Sequence, residues 1–120
     1  EVMEMFERFS ELGVRVFVTE FDVDLFGVPG SEKERWHLQA EIYENMFKAC
    51  LEAESCDTFT IWGVTDSISW LSYGGWEYAD YLSSGTEPLP FDFYMNPKPA
   101  YFAMRKALYE DQGFRYIGQE

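Results

Sequence analysis

The chain has 120 residues, 47% of them hydrophobic, which is enough for one small core and too apolar for a disordered tail. Its 22 Asp and Glu against 9 Lys and Arg give a net charge of −13, so a polyanion is repelled and nucleic acid is excluded as a partner. No stretch approaches the roughly 20 apolar residues that span a bilayer, and the basic clusters that hold a protein on anionic lipid are missing, so a soluble chain is expected. Aromatic residues make up 19%, more than packing alone requires, which points to rings that meet a ligand.

In chain order, Val2, Met5, Phe6, Phe9 and Leu12 recur at helical spacing and Gly13 follows as a terminator. The pattern starts at once after Glu1, which reads as a chain that begins inside an element of something longer. Residues 14–19 (V-R-V-F-V-T) are rich in β-branched and aromatic side chains, predicting a strand covered on both faces with Glu20 directly after its C-terminal end. A loop closed by Pro29 and Gly30 leads to Ser31 and Glu34, a capping box. The helix behind it turns Trp36, Ala40, Tyr43, Phe47, Cys50 and Leu51 to one side. His37, beside charged residues on this helix, reads as a solvated surface group.

A second strand is predicted over residues 58–62 (T-F-T-I-W), making a right-handed βαβ unit with the first. Residues 63–95 lack periodicity, and a loop of that length is usually functional. Asn96 and Pro97 suit the cap and first position of a last helix containing Tyr101, Met104 and Leu108. Cys50 and Cys56 lack the partners a zinc site needs, so they form either a disulfide or two packed thiols, and no metal or cofactor is expected. Two strands do not make a stable sheet. The order therefore reads as an α/β chain, a partial (β/α)8 TIM barrel, with residues 1–120 supplying the last two β/α units and the preceding helix.

A carboxylate at the C-terminal end of a barrel strand sits where such folds build active sites, so Glu20 is a candidate catalytic acid. Position alone fits a solvated Glu equally well. The run from Val16 to Val23, with Thr19-Glu20-Phe21-Asp22 at its centre, closely resembles the nucleophile segment of family 10 glycoside hydrolases, the endo-1,4-β-xylanases. Gln39, Tyr43, the stretch Trp62-Gly63-Val64-Thr65-Asp66-Ser67-Ile68-Ser69-Trp70, Pro88-Leu89-Pro90-Phe91-Asp92 and Pro97-Lys98-Pro99-Ala100-Tyr101 are similar to further family segments, in the same order and over nearly the whole chain. Cys50 and Cys56 stand where many members have a disulfide.

The resemblance implies a retaining glycosidase acting on xylan, with Glu20 as the ionised nucleophile that attacks the anomeric carbon. It also implies that Trp62 and Trp70 line the sugar subsite next to the scissile bond, where indole faces stack on pyranose C–H groups. Asp22 projects from the same side of an extended chain as Glu20 and is read as orienting the site or joining the hydrogen-bond network behind it. Tyr73, Trp76, Tyr78 and Tyr81 belong to a stretch, residues 72–87, longer than the usual family loop.

The acid/base is missing: the family carries it in an Asn-Glu pair, and no such dipeptide occurs in the chain. The expected partners are therefore xylan or a xylo-oligosaccharide and the N-terminal part of the same barrel, in a secreted or periplasmic setting. Two rival readings are a carbohydrate-binding remnant using Trp62 and Trp70, and an unrelated small acidic α/β interaction domain.

Overall fold

A computed structural model describes residues 1–71 and 85–113. Helix α1 (Val2–Glu11) buries Phe6 and closes at Gly13, whose φ of +68° is open to glycine without a Cβ penalty. Gly13 N–H bonds Ser10 O at 3.0 Å and Val14 N–H bonds Phe9 O at 2.9 Å, the paired closure of a Schellman motif. This corrects the start of the first strand. Val14 spends its N–H on the helix end, so β1 runs Val16–Phe21, and Val16 N–H to Ser55 O at 2.7 Å opens the pairing.

Helix α2 (Glu32–Glu52) starts at the expected capping box: Ser31 N–H donates to Glu34 Oε2 at 2.8 Å, and Glu34 N–H donates to Ser31 Oγ at 3.3 Å. Its far end is fixed by a disulfide between Cys50 and Cys56. Cys50 also lies in the core, so bridging and packing coincide at that position. Strand β2 (Cys56–Ile61) follows, two residues ahead of expectation, and pairs parallel with β1.

Both strands turn one set of residues toward the helices, with a break in alternation in each. Val16, Val18, Cys56 and Phe59 pack on Phe6, Ala49, Cys50 and Ala53, while Phe21, Val23 and Ile61 pack on Ala40, Tyr43 and Ala100. The Phe21 ring meets the Tyr43 ring edge-on at 5.0 Å. On the opposite face of β1 Phe17 is 55% exposed. Among the described residues the helices cover one side of the strand.

Helix α3 is Pro99–Asp111, and it packs along α2. Its cap is Lys98 with Pro99 at the first position, and not Asn96 with Pro97 as expected. Asn96 is already committed to a tight turn, where its N–H and Nδ2 donate to the Asp92 carboxylate at 2.8 and 3.0 Å, and Pro97 bridges to Phe91. Pro97 thereby stays extended and the helix starts two residues later.

Candidate active site

Glu20 occupies a bulge. Val18 pairs with Phe59 and Phe21 pairs with Ile61, so β1 has one more residue than β2 across that interval. Strict alternation from Val16 and Val18 would aim residue 20 at α2. The extra residue shifts the phase, so Phe21 faces the helix and Thr19 and Glu20 are both exposed. Bulges recur beside active sites because they re-aim a side chain in this way. Glu20 therefore lies within the last turn of the strand, one residue before its end, which corrects the expectation that it follows the strand. Among the described residues its carboxylate has no hydrogen-bond or ion-pair partner, leaving it free for a ligand.

Asp22 alternates with Phe21 and Val23, which pack on the helix side, so it shares the Glu20 side of the chain. Its Oδ2 accepts the Trp70 indole N–H at 2.7 Å. The bond joins the strand end to the loop after β2 and fixes one edge of the ring, leaving the indole 58% exposed. Trp62 follows Ile61 directly, its N–H donates to Phe21 O at 2.9 Å, and its side chain is 46% exposed. Both indoles thus stand open beside the strand ends that carry Glu20 and Asp22, and neither is sealed in the core.

Behind this surface lies a buried polar cluster; the sequence marks Gln39 and Tyr43 as family positions, but gives no role to the Asp66–Lys98 pair beside them. Residues 86–91 run between the Asp22 loop and the Trp62 loop, and α2 and α3 hold them from below. Gln39 Nε2 donates to Val23 O at 3.0 Å and Glu87 O at 2.6 Å, and Tyr43 Oη donates to Pro88 O at 2.7 Å. Burial, with Asp22 and Asp66 nearby adding to it, pushes the Tyr43 phenol far above its ordinary range and keeps it a neutral donor. Asp66 and Lys98, 1% and 0% exposed, form an ion pair at 3.1 Å. Desolvation pushes the Asp66 carboxyl up to about 6 against the pull of Lys98, and desolvation likewise lowers the Lys98 ammonium. Arg35 Nη2 and Trp36 Nε1 hold the Glu87 carboxylate at 3.1 and 3.3 Å.

Tyr73, Trp76, Tyr78 and Tyr81 lie outside the described residues. His37 is exposed, with its Nε2 3.6 Å from Glu41 Oε1, as expected of a surface group.

These features define a class: successive β/α units with an acid and two indoles at the C-terminal strand ends, the end at which (β/α)8 barrels build their active sites. The chain is similar to xylanase 10B from Thermotoga maritima, with a TM-score of 0.77 and 31% identity over 94% of this chain and 32% of that one. It is also similar to xylanase 10B from Thermotoga petrophila RKU-1, solved in complex with xylobiose, with a TM-score of 0.75 and 32% identity over 90% and 31% of the two chains. Endo-1,4-β-xylanase B of Thermotoga neapolitana is 36% identical over 104 residues, covering 87% of this chain and 28% of that protein.

Residues 1–107 match glycosyl hydrolase family 10, and the chain belongs to that family. It spans only 28% to 32% of the length of these relatives. Membership overturns the reading of an unrelated acidic interaction domain.

Proposed function

We propose that this chain is the nucleophile-bearing portion of a retaining endo-1,4-β-xylanase that hydrolyses the β-1,4-xylosidic bonds of xylan. The observation that supports it most is the bulge at the end of β1, which turns Glu20 away from the helices and leaves its carboxylate exposed beside Asp22. Trp62 and Trp70 supply aromatic faces on which a xylose ring stacks. Glu20 attacks the anomeric carbon, forming a glycosyl-enzyme ester that water then hydrolyses.

The acid/base belongs about 5 to 5.5 Å from the nucleophile in a retaining enzyme, and the rest of the barrel supplies it. The absence of an Asn-Glu dipeptide supports that division. The Cys50–Cys56 disulfide suits an oxidising compartment and so a secreted or periplasmic enzyme.

The test is a xylan assay of the chain alone and joined to the remaining barrel portion. The chain alone is inactive, the complete barrel turns over, and Glu20→Gln in the complete barrel abolishes turnover while xylo-oligosaccharide binding persists. Turnover by the chain alone would overturn the division of labour. Binding without turnover in the complete wild-type barrel would favour the carbohydrate-binding remnant.

A further inference from the structure

We infer that Asp66 and Lys98 are positioning residues, holding the indole wall of the sugar site through the segment of residues 86–91. The inference rests on the proposed reading of Trp62 and Trp70 as sugar-facing.

The segment has little backbone hydrogen bonding to spend. In Pro88-Leu89-Pro90 the two prolines have no N–H, so Leu89 supplies the only backbone donor. That donor goes to Asp66 Oδ1 at 2.8 Å, in the interior. The other carboxylate oxygen takes Lys98 Nζ at 3.1 Å, and the same ammonium donates to Glu87 O at 2.7 Å. Lys98 Nζ also lies 5.2 Å from the centre of the Trp36 ring, a cation–π distance. One carboxylate and one ammonium thus fix the segment at two points, residues 87 and 89.

Both halves of the candidate site attach to that segment. On one side Val23 N–H bonds Pro88 O at 3.1 Å and Leu25 N–H bonds Thr86 O at 2.8 Å, which sets the chain directly after Asp22, the acceptor of the Trp70 indole. On the other side Phe91 N–H bonds Val64 O at 3.2 Å and Asp66 N–H bonds Phe91 O at 3.0 Å, which sets the chain between the two tryptophans. Gly63, next to Trp62, packs so close to Leu89 that an added Cβ would come 2.8 Å from Leu89 Cδ1. A shift of Leu89 therefore reaches Trp62 through Gly63 and Trp70 through the Asp66–Ile68 turn and Asp22.

A buried ion pair is weak as a source of stability, because well-packed apolar groups of the same volume often serve equally well. Its directional bonds, however, fix position, and two of them, from Leu89 N–H to Asp66 and from Lys98 to Glu87 O, end on the segment beneath the indoles. Among the described residues, charged and titratable groups around the pair include Glu87, held by Arg35, together with Asp92 and Tyr43.

The experiment compares the complete barrel, with this portion ¹⁵N-labelled, and its Asp66→Ala and Asp66→Asn variants, reading the indole N–H signals of Trp62 and Trp70 and the affinity for xylotetraose. Asp66→Ala is expected to displace both indole signals and to weaken xylotetraose binding by about tenfold. Asp66→Asn keeps an acceptor for Leu89 N–H, and the expected result is recovery of a large part of both losses. Phe6→Leu, a core change in the other apolar cluster, is the control for general destabilisation and leaves signals and affinity unchanged.

A folded Asp66→Ala with wild-type indole signals overturns the inference. If Asp66→Ala fails to fold, Lys98→Met decides: it removes the bond to Glu87 O and the bond to Asp66 together, so unmoved indole signals in that variant overturn the inference equally. Absence of xylotetraose binding by the complete wild-type barrel counts against the sugar-site reading, while the indole signals still test the positioning role.

Discussion

Replacing Lys98 with methionine keeps the length of the side chain and removes its charge, its bond to Asp66, its bond to Glu87 O and its cation–π contact with Trp36. Asp66 is left 1% exposed with no counter-charge from Lys98. Breaking a buried pair at one partner costs about 3–5 kcal/mol, which is the expected loss at neutral pH.

The pH dependence follows from the carboxyl. In the wild type Asp66 titrates at about 6 when folded, against an ordinary value of 3.8. Between those values the folded state holds a proton that the unfolded state has released, so this group's contribution to stability falls as pH rises through the window, by about 3 kcal/mol in all. Lys98 lowers the folded value, so its removal raises it further and extends the window upward.

The deficit of Lys98→Met relative to wild type is therefore largest at pH 7.5 and shrinks at pH 5, where Asp66 is protonated in both. Urea unfolding followed by tryptophan fluorescence at the two pH values measures it. A deficit of equal size at both, or none at pH 7.5, would refute the assignment of Asp66 as the buried acid of the pair.

Two further outcomes are expected. Gly63→Ala places a methyl group against Leu89 on backbone at φ +130°, and it should cost about 1–3 kcal/mol in a urea melt and blue-shift the tryptophan emission; unchanged stability would count against the close approach. The double variant Cys50→Ser/Cys56→Ser opens a short loop and should lower stability by about 2 kcal/mol, a difference that vanishes when wild type is measured with a reductant.

Local signals made most of the scaffold legible. The Ser31 and Glu34 pair defined the start of α2 because a capping box is written within four residues, and Gly13 ended α1 because its closure is equally short-range. One strand start and one helix start were missed by two residues where a neighbouring motif claimed the backbone: Val14 completes the α1 closure ahead of β1, and Asn96 binds Asp92 in place of capping α3.

The site was legible as residue identities more than as geometry. Glu20, Asp22, Trp62 and Trp70 stood out from their segments, but the bulge that aims Glu20 depends on which residues of β2 and α2 it meets, and no single-strand pattern encodes that. The Asp66–Lys98 pair joins residues 32 apart in the chain. One signal did exist for it: a lysine at a helix start has the wrong sign for the helix dipole, which calls for a compensating acid.

The central claim is that Glu20 is the nucleophile, and chemical rescue of Glu20→Ala tests it most directly. In the complete barrel, with a xylobioside bearing an activated leaving group, removal of this carboxylate should leave negligible turnover. Added azide should restore turnover by entering the vacated face, giving an α-configured xylobiosyl azide. Azide-independent turnover near the wild-type rate, or a β-configured azide product, would contradict the account.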